Sequence, residues 1–414
     1  MTQDILLSGN GPDILVRDGV ICRKGQNLQV GSGVRIIDTS GCIVSSGLVD
    51  LHVHFREPGY QYKETIRTGS MAAAAGGYTT VCAMPNLNPV PDSIQHIEEE
   101  QQVIDRDAVV QVLPYASITK GRKGAELVDF KALKEHCVAF SDDGSGVQDG
   151  ETMRRAMDIA AENSCIIAAH CEDNSLLRGG YIHDGRYCAE HGHKGICSES
   201  EWKQIERDLD LCRESGCRYH VCHISCEESV ELIRSAKRHG VNVTCETAPH
   251  YLLLCEDDLQ EDGRFKMNPP LRRAEDRQAL VEGLADGTID AVATDHAPHS
   301  AEEKSRGLQG SAMGISGLEN AFPVLYTGLV LTGKVSLDRL LEVMSASPRR
   351  IFGIGGSLEE GARADICVID PDEEFVIDSS RFRSMGHSTP FDGWKVRGKV
   401  KLTMAGGKIV HEDL

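Results

Sequence analysis

Residues 49–59 read Val-Asp-Leu-His-Val-His-Phe-Arg-Glu-Pro-Gly, a strand-like run that mixes an acid, two imidazoles and a guanidinium. Alternate side chains of a β-strand share a face, so Val49, Leu51, Val53 and Phe55 form one apolar side and Asp50, His52, His54 and Arg56 the other. A buried parallel strand normally reads apolar on both faces. Two His two apart can aim both rings at one metal ion, the competing reading being an edge strand with a wet face. Similar residues end other strand-like runs: Met84-Pro85-Asn86, Ser141-Asp142-Asp143-Gly144, His170-Cys171-Glu172-Asp173, Val221-Cys222-His223 and Thr294-Asp295-His296-Ala297-Pro298-His299. Imidazole and carboxylate suit zinc and related ions. Four such His with two Asp exceed one tetrahedral shell, which points to two ions sharing a carboxylate and holding a hydroxide between them near neutral pH.

Elements must bring these residues together. Strands are expected at Leu48–Phe55, Tyr78–Met84, Val109–Leu113, Val138–Ser141, Cys165–His170, Arg218–His223, Val241–Glu246 and Asp290–Asp295. Helical patterns separate most of them: Lys63–Ala75, Ile94–Arg106, Phe130–Glu135, Glu151–Glu162, Glu201–Arg213, Ser229–His239 and Arg277–Leu284. Eight strands alternating with helices predict an α/β chain folded as a (β/α)8 TIM-type barrel over residues 48–357, whose C-terminal strand ends carry the chemistry. A doubly wound sheet would want a Gly-rich nucleotide fingerprint, and none follows the first strand. The ends of the chain are short β-like runs broken by glycine, with Gly406-Gly407 reading as a hairpin turn. Residues 1–47 and 358–414 are therefore expected to build one small β-sandwich-like domain between them.

The 414-residue chain carries 63 acidic against 44 basic residues, a net charge of −19. That balance argues against a nucleic-acid partner, and any anionic substrate must be drawn by local charge. No apolar run reaches membrane-spanning length. Met1-Thr2-Gln3-Asp4 opens no basic-then-apolar leader, so secretion is not expected. The 15 cysteines are scattered, and Cys212, Cys217, Cys222 and Cys226 lack a CxxC pair, which disfavours a zinc knuckle. Reduced thiols in a cytoplasmic protein are expected.

In order along the chain, His-Val-His-Phe-Arg-Glu-Pro-Gly (52–59), Met-Pro-Asn (84–86), Ser-Asp-Asp-Gly (141–144), Ala-His-Cys-Glu-Asp-Asn (169–174), Val-Cys-His-Ile-Ser (221–225), Lys-Met-Asn-Pro-Pro-Leu (266–271) and Ala-Thr-Asp-His-Ala-Pro-His (293–299) resemble dihydroorotases of the amidohydrolase superfamily, in the subgroup with Asp between the metals. The resemblance covers essentially the whole expected barrel. It implies two Zn2+ per subunit. His52, His54 and Asp295 would hold one, His170 and His223 the other, and Asp143 would span both in preference to Asp142. Asp295 would also be the general base and then acid. Arg56 would clamp the substrate carboxylate, with His54, Asn86, Asn268, His299, Met313 and Gly314 as further contacts. The implied reaction is the reversible cyclisation of N-carbamoyl-L-aspartate to L-dihydroorotate and water in de novo pyrimidine biosynthesis. A homodimer is expected, and an association with aspartate transcarbamoylase is a further implication. The alternatives are another cyclic amidohydrolase, such as an allantoinase or dihydropyrimidinase, and a non-catalytic dihydroorotase-like subunit. Residues 299–317, rich in Gly and Ser, are expected to form a mobile lid.

Overall fold

The computed structural model describes residues 3–414, so the reading of Met1-Thr2 lies outside it. Strands Leu48–Val53, Tyr78–Ala83 and Gln111–Pro114 form one parallel sheet. Ile166–Ala169, Arg218–Val221, Val243–Thr247 and Ala291–Val292 form another. Single parallel bridges link the two: Ala116 to Phe140, Phe140 to Ile167 and His296 to Val53. The pairings thus run from the first of these strands to the last and return to the first. The fold is α/β with parallel sheets, as expected.

Helices fill the intervals. Ile66–Ala75 starts three residues later than its pattern suggests, because Thr65 and Thr68 form a reciprocal cap. Gly150–Glu162, Glu199–Ser215, Glu227–Arg238 and Ala274–Asp286 match or extend the expected stretches. Two strands shrink. Val138–Ser141 is reduced to the bridging residue Phe140, and Asp290–Asp295 to Ala291–Val292. Both keep ladder hydrogen bonds beyond those residues, from the Val138 amide to the Pro114 carbonyl, the Ser141 amide to the Ala116 carbonyl and the Ala293 amide to the Thr247 carbonyl, and Asp143 and Asp295 follow at the cavity described below.

The chain ends do pair. Ile43–Ser46 lies antiparallel to Ile366–Val376, which pairs in turn with Lys395–Ala405 and, beyond the Gly406-Gly407 turn, Lys408–Glu412. A second sheet runs Val20–Gly25, Asp13–Arg17, Ile5–Ser8, Arg35–Asp38. Ile5, Leu7, Ile14, Val16, Ile21 and Ile37 pack with Ile366, Val368, Leu402 and Met404 as a core separate from the main one. All 15 cysteines are free, and most are buried among apolar neighbours. No helix among the described residues is long and apolar enough to cross a membrane.

Candidate metal centre and substrate pocket

Three expected site residues sit just past strand ends with left-handed backbone: Arg56 (φ 61°), His223 (φ 33°) and Asp295 (φ 48°). Non-glycine residues avoid this region, at a cost of order 1–3 kcal/mol each, and such outliers cluster at functional sites. For Arg56 this corrects the parity argument. The strand stops at Val53, and its register slips between Asp50 and Val53. Arg56 therefore reaches the site by a turn and not by alternation. Its guanidinium makes no ion pair with Glu57, whose carboxylate instead accepts from the Ile66 amide.

Asp143 lies at the centre of a buried cluster. Its Oδ1 is 3.3 Å from His52 Nε2, 3.6 Å from His223 Nε2 and 3.7 Å from His170 Nδ1, and its Oδ2 is 3.6 Å from His54 Nε2. Asp295 Oδ1 is 3.0 Å from His54 Nε2 and 3.6 Å from His52 Nε2. His170 and His223 face each other at 2.9 Å. Asp142 points elsewhere, accepting from the amides of Ile118 and Thr119 and from the Thr119 hydroxyl.

The electrostatics are those of a cation site. Burial opposes ionisation of Asp143, but the charge of His52 and the close approach of the His223 and His54 imidazoles hold it well below the usual carboxylate range. Burial likewise opposes Asp295, and the His54 contact and the His52 charge overcome it. His52 moves the other way: burial lowers it, yet the Asp143 charge raises it well above an ordinary imidazole. His52 Nε2 and Asp143 Oδ1 are sealed from water and make no hydrogen bond. Such orphaned atoms cost about 1–3 kcal/mol each unless a partner satisfies them. A divalent ion with nitrogen and oxygen ligands fits them.

Above the cluster opens a cavity of about 250 Å³, lined by His54, Arg56, Asn86, Asp143, Gly144, His170, His223, Asn268, Asp295, Ala297, His299, Met313 and Gly314. Every residue expected to touch substrate is in this wall, while His52 lies behind it. Asn86 is partly committed, because its Oδ1 sits 2.8 Å from His54 Nδ1. Asn268 donates to Glu172 Oε1 at 3.0 Å, and its own Oδ1 is buried without a partner. The Arg56 guanidinium contacts the Pro298 carbonyl and His299, with no carboxylate in salt-bridge range among the described residues. Burial, followed by Arg56 and Lys63, pushes His299 down to about 3, so it is neutral at physiological pH.

The 299–317 segment is tethered. Ser300 caps the short helix Ala301–Lys304. Lys304 Nζ is buried and donates to the carbonyls of Lys266 (3.0 Å), Ala312 (2.8 Å) and Gly314 (2.7 Å). Gly314, at φ 132°, leaves no room for a side chain, since a Cβ there would lie 2.5 Å from the Ala297 carbonyl oxygen.

A family model described as Dihydro-orotase-like matches residues 41–229. The dihydroorotase of Bacillus cytotoxicus is 50% identical over 403 residues, covering 97% of this chain and 94% of its own. The chain belongs to the dihydroorotase family. Dihydroorotase from Bacillus anthracis has the same identity and coverage. Among solved structures, L-hydantoinase (dihydropyrimidinase) from Arthrobacter aurescens aligns with a TM-score of 0.89 at 28% identity, covering 99% of this chain and 96% of that one.

Within this dihydroorotase-family site, several supporting residues escape a reading of motifs. Asp50 accepts from the Thr294 amide and hydroxyl and from the His52 amide. Glu172 stands 3.6 Å from His170 Nε2. Arg122, itself at φ 55°, donates to the Asp143 carbonyl. Glu246 and His220 stand behind His52. The available signal is an ionisable residue within an expected strand, as Asp50, His220 and Glu246 each are.

Proposed function

We propose that the chain is a zinc-dependent dihydroorotase, interconverting N-carbamoyl-L-aspartate and L-dihydroorotate for pyrimidine synthesis. We read the pairing that returns from His296 to Val53 as closure of a (β/α)8 barrel over residues 48–357, with 1–47 and 358–414 as a second domain. The observation that carries the proposal is the meeting of Asp143 and four imidazoles at the base of a cavity whose wall holds an unpaired guanidinium, Arg56.

His52, His54 and Asp295 would hold one zinc, His170 and His223 a second, with Asp143 between them. Zinc there would polarise the ring carbonyl and make water nucleophilic near neutral pH. The chain's own groups do the rest. Arg56 offers a planar fork to the substrate carboxylate. Asn268 and the free Nδ2 of Asn86 present donors, neutral His299 offers a further polar contact, and the backbone at Met313 and Gly314 closes one side. Asp295, held ionised by its histidine neighbours, accepts the proton of the attacking water and passes it to the departing ring nitrogen. In the reverse direction Asp295 takes the ureido proton as that nitrogen closes on the side-chain carboxyl group, and water leaves.

The likeness to L-hydantoinase supports a second reading, a hydantoin-opening enzyme. A substrate without a carboxylate would leave Arg56 unpaired, which favours the first. Hydrolysis assays on the zinc-loaded protein separate the two. Dihydroorotate should turn over well ahead of hydantoin or allantoin. Asp295→Ala should lower kcat by about 10²–10⁴-fold, the usual range for a lost acid–base group, and Arg56→Ala should raise KM. Faster turnover of hydantoin, or unchanged turnover in Asp295→Ala, would overturn the proposal.

A further inference from the structure

Glu246, in strand Val243–Thr247, has a fully buried carboxylate that does not reach the substrate cavity. Its Oε1 lies 3.0 Å from His52 Nδ1 and its Oε2 3.2 Å from His220 Nε2, while His220 Nδ1 lies 2.8 Å from the Thr244 hydroxyl. We propose that Glu246 and His220 are a positioning pair that fixes the tautomer and ring orientation of His52 and so sets the strength of its metal site. This rests on the zinc reading above and extends it to residues behind the ligands.

As a metal ligand His52 must be neutral, with one N–H. A carboxylate against Nδ1 keeps that hydrogen there and leaves the Nε2 lone pair facing Asp143 and Asp295. Glu246 needs a second partner, because a sealed carboxylate with one oxygen unpaired is costly. His220 supplies it. With both oxygens held, the carboxylate cannot turn away from His52. His54 receives the same service from a neutral group, the Asn86 amide oxygen. The charged support makes His52 the more basic ligand of the two, since carboxylates behind metal-bound histidines raise ligand basicity.

The test compares wild-type, Glu246→Gln and His220→Gln proteins. Zinc affinity is measured by competition with a chromophoric chelator, and the His52 tautomer is read from imidazole 15N shifts of the zinc-loaded proteins. Glu246→Gln should weaken zinc binding by about 10–100-fold and lose the Nδ1–H signature. His220→Gln should give a smaller loss. Saturating zinc should restore most of kcat with KM for dihydroorotate unchanged. Wild-type zinc affinity, or an unaltered tautomer, in a folded Glu246→Gln protein overturns the inference. If that variant does not fold, His220→Gln decides, and unchanged zinc affinity there overturns it equally. A wild-type chain that binds no zinc would instead refute the functional proposal.

Discussion

Asp50 and Thr294 are joined side chain to side chain at 2.6 Å, with the Thr294 amide also directed at the same carboxylate. Asp50 accepts the His52 amide too, so one buried group anchors the backbone beside His52 and the residue preceding Asp295. Asp50→Ala would strand three buried donors, at about 1–3 kcal/mol for each that finds no water. A fall in Tm together with lower zinc content is expected. Asp50→Asn keeps an acceptor and should lose less of both. Full zinc content in Asp50→Ala, measured by atomic absorption, would contradict this anchoring role.

Lys304 binds three carbonyls from two segments that line the cavity, one leading to Asn268 and the other carrying Gly314. Lys304→Met should therefore raise KM for dihydroorotate by tenfold or more while zinc content stays constant. Steady-state kinetics with parallel metal analysis would reveal the split. An equal loss of zinc would assign Lys304 to general stability.

Glu319 accepts from the amides of Arg383 (2.8 Å) and Ser384 (3.1 Å), yet burial pushes its carboxyl up from 4.5 to about 7. The folded chain thus keeps a proton there that the unfolded chain has released. By linkage, this site's contribution to stability is full below about 4.5 and lost as pH rises to about 7. Glu319→Gln should flatten that part of the Tm–pH curve and melt higher than the parent at pH 8. Parallel curves for the two proteins would reject the assignment.

Zinc uptake should release protons. His52 and His170 are both raised above ordinary imidazoles, by Asp143 and Glu172 respectively and against the effect of burial. A metal ligand must shed its proton. Apparent zinc affinity should therefore fall between pH 8 and pH 6, with proton release visible by calorimetry in buffers of different ionisation enthalpy. A pH-independent affinity would be inconsistent with these two histidines as ligands.

How far the sequence could be read depended on the kind of signal. Alternating apolar and helical patterns located the parallel strands and the helices between them, because burial imposes period on side chains, but not the short helices Ala321–Leu325, Leu337–Leu341 and Ser347–Phe352. Val138–Ser141 is too short to show as more than a bridge at Phe140, although its backbone bonds to both neighbours, Ser141 to the Ala116 carbonyl and Phe140 to the Ile166 carbonyl. Spacing alone could not separate Asp142 from Asp143. Neighbours in sequence point apart, and only the positions of Thr119 and His52 show which one faces the cluster. Strand parity points to Arg56 for a partly wrong reason, since its left-handed backbone is invisible in a residue pattern. Glu246 belongs to no motif, and its role shows only once folding brings His52 and His220 beside it.

The pairing of Ser46 with Ile366 sets a timetable for biosynthesis. At about 5–20 residues per second of translation, the strand Ile43–Ser46 waits roughly a quarter of a minute to a full minute before its partner emerges. Over that interval the ribosome-bound chain holds a strand with no neighbour on this side, an edge open to wrong associations. Completion of this sheet therefore waits for residues 366–412, and a nascent chain cut short before them would leave Ile43–Ser46 without its partner.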